Sequence, residues 1–594
     1  MNIPNVVRGS LLSGLTLALL FACSGGSDRK EFVSEAPEAG ADGGGQFVAD
    51  AALPMNVLPS SQPDPKTCAE AVALRSYVGC DYWPTQTSNV VADVFDFAVA
   101  VANNGADAAN VTLTGYGMNK QVTVAPGSLE KIYLPWIPEL KGPAGQGLDR
   151  SVLVRAGAFH LVSDKPVVVY QFSPLEFKAV GGDTGKDWSA CKKAPEALEC
   201  YSYSNDASLL LPSTAMTGAY RVMGDYGFSS HPFNDSTNTF DTTKPLEAIG
   251  ATAMTITATV DNTHIEITLG AKANVIGSDG DADGGVEGGV ADAGDEAGAD
   301  AGAEGGIPVV LGVIPQTNAG GLFTLVLNAG DVAQIVADKG QSFDLSGSVV
   351  RADKPVQLIT SIPCQFHPLD TFACDHEEET VFPVETLGKH YVVTSPTGPS
   401  GPGFAPVPHS VRIYGNSDGT NLTYKPSAPT GCPSVVNAGE VADCPQITDS
   451  FEVIGDKAFG VGLFMLGGAV VDPTGSASGA PQGDPSQSFA VGVEQYRQSY
   501  VFLAPTDYKT SYVDVIAGPD TKITIDNADA TAKLTPITGT TFFLARAPLP
   551  AINGGVHTLT ATRPVGIQVV GYGDNTSFQY PGGLNLVELN PAPK

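Results

Sequence analysis

The 594-residue chain carries 63 acidic and 32 basic side chains, a net charge of −31, and only 16% charged residues, where a soluble domain has about a quarter. No run of Lys and Arg is longer than Lys192-Lys193, so the basic stripe that nucleic acid requires is missing and polyanionic partners are disfavoured. With 68 Gly and 44 Pro but 42% hydrophobic residues, the composition excludes a wholly disordered chain and points to an all-β fold, long enough for about four domains.

Arg8 precedes an apolar stretch from Leu11 to Ala22, which has the length of a signal-peptide core and is too short to span a bilayer. Leu20-Phe21-Ala22-Cys23 resembles a bacterial lipobox, in which the Cys is acylated and becomes the first residue. Phe21 is larger than the residue usual there, and an ordinary export signal is the alternative. Residues 1–22 are therefore read as a lipoprotein signal peptide and Cys23 as the lipid attachment point, since several acyl chains together anchor firmly. Ser24 in place of Asp favours the outer membrane, with the protein displayed at the cell surface. Residues 23–66 are rich in Gly, Ala, Ser, Pro and acids without sustained periodicity, and read as a disordered tether.

Four stretches then share a turn, a cation, usually a proline, and an apolar run. They are Ser163-Asp164-Lys165-Pro166 before VVVYQF, Ala352-Asp353-Lys354-Pro355 before VQLITSI, Gly455-Asp456-Lys457-Ala458 before FGVGLFML, and Ala561-Thr562-Arg563-Pro564 before VGIQVVGYG. Proline suits a strand's first position, where its missing N–H does least harm. A second echo, strand, Pro-containing turn, then Tyr opening another strand, begins at Ser208, Thr380 and Ser499. Alternating segments at Met254–Leu269 and Val513–Asp526 read as hairpins with one buried face. Tandem β-sandwich-like units follow: a divergent unit 67–205, then 206–375, 376–497 and 498–594. The second contains an acidic Gly/Ala insert at 279–306, whose Asp279, Asp281 and Asp283 imitate half of a calcium loop. Val290 stands where that loop needs Glu, so a disordered insert is preferred to calcium binding.

Beyond Cys23, the cysteines fall into four close couples: Cys68 and Cys80, Cys191 and Cys200, Cys364 and Cys374, Cys432 and Cys444. An even count in an exported chain favours disulfides between neighbours, over free thiols and over a metal site, because no couple is C-x2-C. The densest ionisable cluster is His367 with Asp375, His376, Glu377, Glu378 and Glu379. Thr380 follows where a zincin helix needs its second His. These six residues are read as a solvent-facing loop that a ligand can reach, pinched by a Cys pair; no metal, cofactor or catalytic residue is assigned. Trp83, Trp136 and Trp188 all lie in the first unit, where core packing is commoner than sugar stacking.

SYVGCDYWPTQTSN from Ser76, SLLLPSTAMTGAYRVMG, ADKPVQLITSIPCQFHP, and FACDHEEETVFPVETLGKHYVV together resemble the family named for the N-terminal region of IgG-Fc-binding protein. The segment Cys374–Tyr391 is the most specific part. The resemblance is best over 206–517 and looser toward Cys68 and the C-terminus. It implies an extracellular β-rich binding domain, as in bacterial lipoproteins of that family, and brings no catalytic residue. The expectation is a non-catalytic adhesion protein, held to the membrane by its lipid and binding a protein or glycan. The alternatives are a structural envelope lipoprotein and a metal-dependent enzyme using the His367–Glu379 loop.

Overall fold

The computed structural model describes residues 64–193, 200–234, 236–237, 239–278, 313–399, 405–477 and 481–590. The signal segment 1–22, Cys23, the tether before residue 64 and the 279–306 insert lie outside the described residues. The described chain is all-β, and none of its helices is long and apolar enough to cross a membrane.

The described residues belong to one compact body, and the expected units name successive stretches of its chain. At each of the four marker segments the chain exchanges one set of strand partners for another. In the first unit β1 (Phe97–Ala102), β2 (His160–Ser173) and β3 (Asp206–Leu209) follow this plan. The first half of β2 pairs with Ala109–Gly115, Leu161 opposite Leu113. Beyond Pro166 its second half pairs with β1, Phe172 opposite Ala98, and with β3, Tyr170 opposite Leu209. The second unit contains β4 (Ala253–Ala258), β5 (Val349–Ala352), β6 (Val356–Gln365) and β7 (Asp375–Thr380). There β5 pairs with Thr263–Thr268, while β6, past the marker, lies between β4 and β7.

The third unit contains β8 (His409–Gly415), β9 (Phe451–Gly455), β10 (Phe459–Met465) and β11 (Gln487–Phe489). Here β9 pairs with Thr420–Lys425, and β10 lies between β8 and β11. The fourth contains β12 (Thr510–Ala517), β13 (Val556–Gly573) and β14 (Thr576–Pro581). The first half of β13 pairs with Arg497–Leu503 and Ile523–Ile525, the second with β12 and β14.

Side-chain chemistry explains why the marker recurs. Its acceptor takes an edge N–H of the facing strand: Asp164 that of Asn110 at 2.7 Å, Asp353 that of His264 at 2.8 Å, Asp456 that of Asn421 at 2.9 Å, and Thr562 that of Lys522 at 3.0 Å. The Lys354 ammonium donates to the Asp261 carbonyl, at 2.8 Å, in the hairpin turn beside it. A tyrosine closes each crossing. The hydroxyls of Tyr82, Tyr220 and Tyr391 donate to the carbonyls of Val167, Val356 and Phe459 at 2.6, 2.7 and 2.6 Å, and that of Tyr500 donates to Val565. Each acceptor is the first residue past its marker, so the crossing is pinned from both sides. The third member of the tyrosine echo is accordingly Tyr500, preceded by β11, and not the segment opening at Ser499.

The boundary expected at 205/206 falls just ahead of β3, and that at 375/376 falls one residue into β7. Both strands are hydrogen-bonded to the strand before them, β2 and β6, and so close the preceding unit. The units also share structure. Val152–Val154 of the first pairs with Val332–Ala337 of the second, and the Tyr170 hydroxyl donates to Val501 and Gly582 carbonyls of the fourth at 2.9 and 2.8 Å.

Disulfides join Cys68 to Cys80, Cys364 to Cys374 and Cys432 to Cys444. The fourth expected pair is not a bond: Cys191 and Cys200 are free thiols in hydrogen-bonding contact, and burial with that neighbour pushes the Cys191 thiol up to about 12. The tryptophans pack as the commoner expectation has it. Trp83 stacks on His160 with ring centres 4.1 Å apart, Trp188 lies against Phe95, and the Trp136 indole donates to the Phe95 carbonyl.

Candidate functional site

β3, β7, β11 and β14 each pair on one side only within their own sheets, and they lie against one another. Four strands with unpaired backbone groups thus meet in a dry interior, where every N–H needs an acceptor. Side chains supply it. Asp206 Oδ2 accepts the N–H groups of Glu378 and Gln487, both at 3.0 Å, tying β3 to β7 and β11. Asp375 accepts the Asn205 N–H at 2.6 Å and, through its other oxygen, the Thr576 hydroxyl at 2.9 Å. Glu379 Oε1 accepts from the Ser208 hydroxyl at 2.9 Å and the Leu209 N–H at 3.2 Å, while Ser208 Oγ accepts the Thr380 N–H at 2.9 Å.

The acidic run at 375–379 is therefore this junction's central strand and not the solvent-facing loop that its charge suggested. Asp375, His376, Glu377, Glu378 and Glu379 are all 0% exposed and His367 is 4% exposed. A run of acids resembles a solvated segment because carboxylates are seldom buried without partners. Here the partners come from other units. Only the stretch between His367 and Asp375, with Leu369 39% exposed, reaches the surface.

β7 makes further polar ties. Glu378 accepts from the Thr87 hydroxyl at 2.6 Å and the Gln171 amide at 2.9 Å, and lies 3.3 Å from His376 Nε2. Burial raises the carboxyls of Asp206, Asp375, Glu377, Glu379 and Asp484 well above the carboxylate range. This keeps protons on the acids that have no cation beside them. Glu377 is the extreme case: both its oxygens are buried without a hydrogen-bond partner among the described residues.

Beside Glu377 stand Asp225 and His367, brought together from the segment after Ala219–Arg221 and from the loop after β6. His367 Nε2 lies 2.7 Å from Asp225 Oδ2 and 3.6 Å from Glu377 Oε1. Asp225 also accepts from the Gln365 amide at 2.8 Å. Arg412 on β8 reaches Asp344 and Asp443, both at 2.7 Å, the Gly224 carbonyl at 2.6 Å and Asp225 at 3.4 Å. Burial works against the guanidinium charge, but Asp344, Tyr414, Asp443 and Asp225 outweigh it and hold its pKa up. Burial likewise favours protonated Asp225, yet His367 and Arg412 hold that carboxyl below its usual range.

Sequence reasoning named His367 and the acids of β7 but missed Asp206, Asp225, Asp344 and Arg412. The one available signal was Asp225 at the end of the GAYRVMG echo; the others are isolated charges in apolar surroundings. At the surface nearby, an open cleft of about 550 Å³ is lined by residues including Pro232, Phe233, Asp241 and Lys244. Beneath it Phe233, Phe240, Phe366 and Phe372 pack edge to face. His231 ties the cleft to the exposed loop through Asp370, Nδ1 to Oδ2, at 2.6 Å.

Human IgGFc-binding protein is 26% identical to this chain over 273 residues, covering 44% of this chain and 5% of that protein. The chain thus spans about a twentieth of that relative's length. No solved structure matches. Residues 305–571 match the family model described as IgGFc binding protein, from the second unit through the third and into β13 of the fourth.

Proposed function

We propose that this protein is an exported, lipid-anchored binding protein of the cell surface, of the IgGFc-binding type, and that its ligand is a protein or glycan. The match of residues 305–571 to the family carries this reading. The anchor rests on the Leu20–Cys23 segment and the tether behind it. Burial of His367 and of the whole 375–379 run speaks for a non-catalytic protein, because a metal-dependent enzyme using these groups must bring substrate to them. Ligand contact then falls to loops at the exterior, where binding residues on rigid β scaffolds are concentrated. Two experiments test the proposal. Protease added to intact cells is expected to cleave the protein, and an uncut protein contradicts surface display. The purified chain, passed over immobilised IgG Fc and a panel of surface proteins and glycans, is expected to bind at least one saturably. Failure to bind any, joined to envelope defects on deletion, moves the assignment to a structural lipoprotein.

A further inference from the structure

Buried carboxylates are ordinarily paired with a cation or saturated with hydrogen bonds. Around Asp225 neither holds in full. Three carboxyl groups, Asp225, Asp344 and Asp443, gather about one guanidinium, Arg412, and a fourth, Glu377, stands beside His367. Arg412 is used up by Asp344, Asp443, the Gly224 carbonyl and, at 3.4 Å, Asp225, and makes no ion pair with Glu377. Both oxygens of Glu377 remain without a hydrogen-bond partner among the described residues, fully buried, beside the imidazole of His367. One ligand atom from each of Asp225, His367 and Glu377 lies within 4.8 Å of the others.

We propose that Asp225, His367 and Glu377 form a structural binding site for one divalent transition-metal ion, zinc by preference, buried within the second unit where Arg412 of the third reaches Asp225. One imidazole nitrogen and two carboxylate oxygens are a donor set that zinc takes readily at about 2.0–2.2 Å. Ligand atoms at that radius stand roughly 3.3–3.5 Å apart in a tetrahedron. The 3.6 Å from His367 Nε2 to Glu377 Oε1 already fits, and the 2.7 Å to Asp225 Oδ2 opens by less than 1 Å when an ion replaces the hydrogen bond. Two further features suit the role. The Cys364–Cys374 disulfide closes the loop that carries His367 onto the start of β7, and Gln365 holds the Asp225 carboxylate at 2.8 Å. Calcium is a poorer fit, since it prefers six to eight oxygen ligands. The ion acts as a bolt between β7 and the two segments that carry Asp225 and His367. Three protein donors leave a tetrahedral zinc one position short, which the second oxygen of Glu377, also without a hydrogen-bond partner among the described residues, would fill. Burial of all three ligands keeps substrate away. The inference is independent of which ligand the exterior binds.

The test uses the full chain, stripped with chelator, then dialysed against Zn²⁺, with Ca²⁺ in a parallel arm. Elemental analysis is expected to find about one zinc more per chain in the wild type than in Glu377→Gln, a change that keeps the side chain's shape. Zinc at about a hundredfold excess over its Kd is expected to raise the unfolding temperature of the wild type and not that of the variant. His367→Gln serves if the first variant does not fold. Co²⁺ in the wild type provides a direct readout, with a visible absorption band of tetrahedral nitrogen and oxygen ligation. Equal zinc in wild type and variant, or a wild type that takes up no ion and gives no cobalt band, overturns the proposal. In that case the cluster is a hydrogen-bonded network with a neutral Glu377.

Discussion

Arg412 is the best single handle on the junction between the second and third units. Replacing it by Met keeps the length of the stem and removes the charge. The Asp443 side chain is 53% exposed, so that pair is solvent-screened and contributes under about 1 kcal/mol. Asp344 and Asp225 are 4% and 0% exposed and become buried carboxylates without their cation. Asp225 keeps His367 and Gln365, and Asp344 keeps the Ser346 N–H at 2.8 Å, which places the loss at the lower end of the range for a broken buried pair, about 3 kcal/mol. Guanidinium unfolding followed by intrinsic fluorescence measures it. Adding Asp344→Asn to the same chain is expected to return part of the loss, as a coupling of about 1 kcal/mol or more. A loss for Arg412→Met below about 1 kcal/mol, the range of surface pairs, refutes the description of this cluster as a buried tie.

Two buried groups predict opposite pH dependences. Burial pushes the Glu176 carboxyl up to about 7 while it accepts from the Tyr133 hydroxyl. The folded state then holds a proton that the unfolded state releases, so stability falls as pH rises from about 4.5 to 7, by on the order of 3 kcal/mol. Glu176→Gln is expected to flatten that slope, and an unchanged pH profile contradicts it. Burial, with the nearby Arg546, lowers His409 to about 3. Stability is present above pH 6.5 and lost as pH falls toward 3, at about 1.4 kcal/mol per pH unit. His409→Gln is expected to be less acid-sensitive than the wild type over this window. Alkylation of the unfolded, unreduced chain is expected to tag Cys191 and Cys200 and none of the six disulfide cysteines; untagged Cys191 and Cys200 show instead that the fourth couple is bonded.

The repeating scaffold was readable because its determinants are local. A turn acceptor, a cation and a strand-opening residue occur together wherever the chain changes strand partners, and the three short-range disulfides join neighbours in sequence. The junction was not readable, because its partners are remote. Glu378 finds Thr87 and Gln171, and Glu379 finds Ser208, all in the first unit. Nothing at residues 375–379 announces them. A charge run read alone goes to solvent, and only the meeting of four strand edges makes buried carboxyl oxygens useful. The tyrosine echo was misplaced at its third copy for a related reason. Ser499–Ala517 contains strands of the right composition, but only Tyr500 lies within reach of the carbonyl past the marker.

The central structural claim is that the acidic strand is sealed at the meeting point of the units, and the non-catalytic reading depends on it. Hydrogen exchange resolved to a peptide spanning 375–380 tests it most directly. The Glu378 and Thr380 amides donate to Asp206 and Ser208, and the strand is ladder-bonded to Val356–Gln365 on its other side. The peptide is therefore expected to exchange as slowly as that strand, while the exposed segment around residues 241–249 exchanges quickly. Exchange of 375–380 as fast as that surface segment contradicts the claim and restores the acidic run to the solvent-facing loop its composition suggests.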